Sequence, residues 1–96
     1  MQDLVYYNEL YDLYGELLTD TQRKYFEDYY FNNLSFSEMA ENYNVSRNAI
    51  FRQIHIVVDK LKSYEEILKL SEKRKSILKV IENAPKDIKD KVEEIL

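Results

Sequence analysis

Between Leu34 and Ile54 the chain reads LSFSEMAENYNVSRNAIFRQI, and this segment narrows the possible folds more than any other. It carries two helix starts separated by a tight reversal. Ser35 stands three residues before Glu38, the spacing at which a hydroxyl and a carboxylate satisfy each other's free backbone amides. Ser46 can cap the next helix through one of its first-turn N–H groups. Between them, Ala40 is small enough to let two helices approach closely. Asn44 falls where the reversal needs a left-handed residue, a conformation that Asn tolerates better than most residues with a side chain. Val45 and Ile50 follow as apolar plugs. Helix, left-handed turn residue, plug, cap and second helix in that order predict a helix-turn-helix, whose second helix commonly enters a nucleic-acid groove. A helical hairpin that binds nothing has the same local chemistry.

The rest of the chain is helical as well. With one Gly and one Pro in 96 residues, it has few breakers and little strand alternation. A first amphipathic helix is predicted over Asp3–Tyr14, with Val5, Leu10, Tyr11, Tyr14 and Leu17 on its apolar face and Gly15 near its end. Thr19, paired with Gln22 three residues later, starts a second helix. Tyr25, Phe26, Tyr29 and Tyr30 give that helix an aromatic face, and Asn32 and Asn33 break it. A third helix covers about 36–43. The fourth begins after Ser46 and turns Ile50, Ile54, Val57 or Val58, and Leu61 inward. Nothing obliges it to stop before Asn83, although Ser63 with Glu66 could restart it near residue 63. A heptad from Leu61 through Leu78 is too weak for a coiled coil. Asn83-Ala84-Pro85 ends the long helix, and Pro85 suits the first turn of a last short one with Ile88, Val92 and Ile95 on one stripe. Residues 1–62 therefore read as the helix-turn-helix domain. Residues 63–96 read as a helical extension that needs a partner surface, for dimerisation or another protein.

Composition excludes several functions. No Cys means no disulfide framework, thiolate metal site or Cys nucleophile. There is no glycine-rich phosphate loop and no Ser/His/Asp or Cys/His arrangement, so neither catalysis nor a cofactor is expected. His55 is the one histidine, and a metal site would need further ligands. No run of about 18 apolar residues and no basic-plus-apolar leader is present, which gives a cytoplasmic expectation without membrane insertion.

Net charge is −4, but it is unevenly spread. Residues 1–46 carry −7 and residues 47–96 carry +3, with the basic half beginning at the predicted recognition helix. On that helix Arg47, Asn48, Phe51, Arg52 and His55 fall away from Ile50 and Ile54, and Gln53 shares the exposed face. Arg reads guanine edges or phosphates, and Asn reads adenine. The same residues also suit an ordinary solvated face. A second basic track holds Lys69, Lys73, Arg74 and Lys75, able to meet an RNA backbone or to form intrahelical ion pairs. Nine tyrosines suggest base stacking, but their acidic neighbours favour core packing.

Residues 17–62, through LTDTQRKYFEDYY and LSFSEMAENYNVSRNAI, resemble the promoter-reading domain of bacterial sigma factors. The closer resemblance, over nearly the whole chain, is to the YlxM family of small bacterial helix-turn-helix proteins. Three features separate the chain from a sigma factor: it is free-standing, it lacks a core-polymerase binding segment, and its second plug, Ile54, lies four residues beyond Ile50 rather than three. The resemblance implies an all-α, helix-turn-helix core of sigma-factor promoter-reading type with a long C-terminal helical extension. It implies a regulatory or accessory role in the signal recognition particle pathway, with that particle's RNA, its GTPase or both as partners, and a homodimer. Where the family commonly has a basic pair after the position of Ile54, this chain has His55 and Ile56. Arg52 stands where an acidic residue is usual. Two other readings stay open: a transcription regulator on duplex DNA, and a protein-interaction module without nucleic acid.

Overall fold

The computed structural model describes residues 3–96 and is all-α: 83% of these residues are helical and none is in a strand. Six helices follow one another: α1 (Asp3–Tyr14), α2 (Asp20–Phe26), α3 (Phe36–Tyr43), α4 (Arg47–Leu68), α5 (Leu70–Val80) and α6 (Lys86–Ile95). A 3-10 turn, Gly15–Leu17, closes α1, and a π-helical turn, Glu27–Phe31, extends α2. The local chemistry explains the starts. Thr19 with Gln22 and Ser35 with Glu38 form complete capping boxes. Ser46 accepts from the Ala49 N–H at 3.1 Å. Asn44 ends α3 at φ 55°, ψ 48°, the left-handed cap expected of it.

The core is two clusters sharing α4. Ile50, Ile54 and Val58 pack with Tyr25, Met39 and Ala40, which builds the helix-turn-helix. Val57 and Leu61 pack with Leu10, Tyr14, Leu18 and Phe26, which docks α1 and α2 on the same helix. Both Val57 and Val58 are thus core residues, one for each cluster. Tyr25 and Phe26 are buried while Tyr29 and Tyr30 are half-buried, so the aromatic face serves packing.

Four expectations need correction. Val45 is no plug: it stays 41% exposed, and its N–H closes the turn on the Ala40 carbonyl at 3.0 Å. Val5 and Leu17 are outside the core, at 67% and 55% exposure. The tighter turn at Gly15 rotates the chain so that Leu18 goes inward instead. A Cβ at Gly15 would lie 3.1 Å from the Tyr11 ring, which accounts for the glycine. Pro85 caps α6 rather than sitting inside its first turn. The long helix does break, but at Lys69 and not near Ser63, which lies inside α4.

The break at Lys69 is a tertiary device. Lys69 adopts φ 55°, ψ 32°, ending α4 and starting α5 at one residue. Glu65 reaches across it. Its Oε1 accepts the Tyr14 hydroxyl at 2.7 Å and the Ser71 N–H at 2.9 Å, and its Oε2 accepts the Glu72 N–H at 3.2 Å. The Leu70 N–H donates to the Tyr14 hydroxyl oxygen at 3.0 Å. Free N–H groups at the start of α5 are thereby capped from α4 and α1. Ser71 is buried at this joint, and α5 lies against α1. A division at 62/63 would fall inside α4.

Two predictions arise here. Burial alone would raise the Glu65 carboxyl, but the Tyr14 hydroxyl and the Ser71 and Glu72 amides outweigh it and hold the group below its ordinary 4.5. A depressed folded value adds stability that is complete above the unfolded value near 4.5 and is lost as pH falls through the folded one. Glu65→Gln is expected to cost about 2 kcal/mol at pH 7, from weakened hydrogen bonds to a charged acceptor. The gap from the parent should narrow below pH 4 in urea titrations; a pH-independent gap would contradict this account. Lys69→Gly should stabilise by roughly 0.5–1 kcal/mol by relieving the left-handed strain, with little offset from the exposed Lys69–Glu72 pair. A fall in melting temperature would count against a strained hinge.

α6 extends the molecule to 54 × 25 × 23 Å. The radius of gyration is 16.7 Å, against about 12.5 Å for a compact domain of this length. The stripe of Ile88, Val92 and Ile95 forms as the periodicity predicts. Within the chain it is largely uncovered, with Ile88 46% and Ile95 84% exposed.

Candidate nucleic-acid interface

The helix-turn-helix is α3, the Asn44 turn and α4. Met39 and Ala40 on α3 meet Ile50 and Ile54 on α4, and the small Ala40 allows the close crossing. A phenol fixes α3 from behind. The Tyr43 hydroxyl donates to Asp28 on the π turn, and its ring meets Tyr25 edge-on at 4.6 Å. Burial and then the bond to Asp28 push the Tyr43 phenol up to about 12, so it remains a donor throughout the physiological range.

With Ile50 and Ile54 inward, α4 presents Arg47, Asn48, Phe51, Arg52 and His55 outward, all exposed, and Gln53 half-buried beside them. Arg47 and Asn48 occupy the first turn, the part of a recognition helix that reaches base edges. That turn holds no acidic residue, so the positive end of the helix dipole is unopposed there. Among the described residues, neither Arg47 nor Arg52 has a carboxylate within 4 Å. The two guanidinium groups are available to an external anion.

The second basic group is arranged differently. Lys69 pairs with Glu72 at 3.6 Å, and Lys75 with Glu9 of α1 at 3.4 Å. Arg74 and Lys75 line a crevice of about 420 Å³ together with Glu9 and Asp12. Lys73 is exposed. These residues therefore do not form an uncompensated basic track. The 22 residues of α4 separate them from Arg47 by about 33 Å, so the two groups form separate patches.

One feature beside α4 has no counterpart in the sequence reading. The π turn brings Tyr29 and Tyr30 to the flank of the recognition helix, where with Phe36, Phe51 and His55 they line a groove of about 210 Å³. Phe51 is 49% exposed and meets Phe36 edge-on at 5.9 Å and His55 at 4.4 Å. The aromatic residues themselves are the available signal; their convergence depends on the π turn, which residue spacing does not reveal. No helix among the described residues is long and apolar enough to cross a membrane.

Comparison with known proteins agrees with this architecture. The family described as "Putative helix-turn-helix protein, YlxM / p13 like" matches residues 1–95. A UPF0122 protein of Fusobacterium nucleatum is 37% identical over 97 residues, covering 100% of this chain and 94% of its own length. Relatives from Caldanaerobacter subterraneus and Malacoplasma penetrans, also UPF0122 proteins, are 41% and 45% identical. They cover 83% and 84% of this chain, and 68% and 78% of their own lengths. The chain belongs to the UPF0122 family of YlxM / p13-like helix-turn-helix proteins.

Proposed function

We propose that this protein is a noncatalytic accessory factor of the signal recognition particle pathway, acting in the cytoplasm and binding the particle's RNA through α4. The observation that carries the RNA contact is the preformed recognition helix, with Arg47 and Arg52 exposed and unpaired with carboxylates beside Asn48. The pathway itself comes from the YlxM resemblance, to which the family membership adds weight. A chain of net charge −4 would repel nucleic acid at most orientations, so binding through one basic face is favoured. Arg47, Asn48, Arg52, Gln53 and His55 are the contacts in this reading, with Lys73 and Arg74 a secondary patch. The uncovered stripe of α6 favours a protein contact as well, either the particle's GTPase or a second copy in a homodimer.

Duplex DNA is the competing ligand, favoured by the recognition-helix geometry alone. A titration of the purified protein against signal recognition particle RNA and length-matched duplex DNA, at 50 and 200 mM salt, separates the readings. Preference for the RNA, weakened by salt, is expected. Preference for DNA would replace the accessory role with transcription regulation. Failure to bind either would leave the helix-turn-helix as a protein-docking scaffold.

A further inference from the structure

The groove beside α4 adds a shape requirement to this reading, and the inference rests on nucleic-acid binding as proposed above. Arg47, Phe51, His55 and Asp59 stand four residues apart, so each neighbours the next along the helix surface. The row runs from a guanidinium with no carboxylate within 4 Å among the described residues, past two exposed rings, to a carboxylate. Phe51, His55 and Asp59 border the groove, with Phe36 and Tyr29 on its other wall. The wall rings are already engaged with each other: Tyr29 and Phe36 stack at 4.8 Å and 19°. Phe51 instead meets its neighbours at steep angles, 81° to Phe36 and 61° to His55, with half its surface in water.

Phe51 packs edge-on against Phe36 and His55 and still leaves half of its surface open on the outward face of the recognition helix. Deep in a duplex groove it would face polar base edges and phosphates. Against an unstacked base it gives a flat apolar surface, the means by which proteins hold unpaired nucleotides. At about 210 Å³ the groove is below the size of drug-binding pockets. It has room for one ring system. Both signs of charge are at hand: Lys62 and Asp59 line the groove, with Lys62 over the Tyr7 ring at 5.3 Å, the Asp59 carboxylate can accept from an exocyclic amino group, and Arg47 and Arg52, outside the groove on the same helix, can take flanking phosphates.

We propose that this groove holds a single unpaired base, so that the preferred ligand is an RNA hairpin loop or bulge and not an uninterrupted duplex. The test uses the full chain and two RNAs, one a stem with a single bulged 2-aminopurine, the other the same stem with a partner nucleotide opposite that base, so that the two differ by a single nucleotide. The bulged RNA is expected to bind about tenfold more tightly, with quenching of 2-aminopurine fluorescence on binding. Phe51→Ala should erase both the preference and the quenching. Phe51→Trp should keep both, which guards against a misfolded variant. Equal affinities for the two RNAs, unaffected by Phe51→Ala, would overturn the inference and leave RNA binding intact. No binding to either RNA would remove the nucleic-acid reading and this inference with it.

Discussion

Phe26→Ala is expected to cost about 3–5 kcal/mol, the largest loss from any single substitution considered for this chain. Phe26 is fully buried where the two core clusters adjoin. Its ring stacks on Tyr11 at 4.4 Å and 7°, and it meets Tyr30 at 4.6 Å and Phe31 at 5.7 Å. Removing it opens a cavity walled by aromatic rings, which are stiff and refill space poorly. Tyr11 also loses the surface that positions its hydroxyl on Glu27. Domains are stable by about 5–15 kcal/mol in total, so this one change consumes a large share. Chains of this length lose about 4–8 °C of melting temperature per kcal/mol, and a fall of more than about 12 °C is expected. Urea unfolding of the parent, Phe26→Ala and Phe26→Leu would measure it, with the leucine variant intermediate. A loss below about 1.5 kcal/mol for Phe26→Ala would mean that the aromatic cluster repacks freely.

The second large effect concerns binding and should leave stability alone. Arg47 and Arg52 are exposed and form no ion pair among the described residues, so replacing both with Ala removes two cations outside the core. If both meet phosphates, the slope of log affinity against log salt falls by about 2, and affinity at low salt drops by roughly tenfold or more. If one reads a base edge, discrimination between sequences also weakens by about 1–3 kcal/mol. The control is Lys69→Ala with Lys75→Ala. These lysines already pair with Glu72 and Glu9, so a smaller effect on RNA affinity is expected. Unchanged binding and unchanged salt slope after the arginine substitutions would remove α4 as the contact surface. A larger effect from the lysine pair would move the interface to α5.

What the sequence disclosed follows from the range of each interaction. The caps at Thr19, Ser35 and Ser46 and the left-handed Asn44 are satisfied within a few residues, and each forms where local chemistry puts it. The outward placement of Arg47, Asn48, Arg52 and His55 follows from helical spacing once Ile50 and Ile54 are inward. The break at Lys69 was not legible because nothing local demands it. Lysine is a good helix former, and the amides of Leu70 and Ser71 are satisfied by Tyr14 and Glu65. The pairing of Lys75 with Glu9 likewise depends on α5 folding back on α1. The π turn hides in a stretch, EDYYF, whose residues suit an ordinary helix as well. Val45 escapes the pattern because an apolar residue after a turn suggests an inward side chain, whereas here the backbone N–H, not the side chain, closes the turn.

Because both core clusters need α4, assembly on the ribosome waits for that helix. The cluster around Tyr25, Met39 and Ile50 is complete once Val58 has been made, and all its members lie within one contiguous stretch. The face of α1 is different. Leu10 and Tyr14 are synthesised early, yet their partners Val57 and Leu61, and the Glu65 carboxylate that receives the Tyr14 hydroxyl, come some fifty residues later. At about 5–20 residues per second, the tyrosine-rich first helix spends roughly 3–10 s without the α4 side of its cover, with only Leu18 and Phe26 of that cluster already made. Val57 is made immediately before Val58, so the helix-turn-helix and the docking surface for α1 emerge almost together, and α1 is the segment that waits longest for its α4 partners.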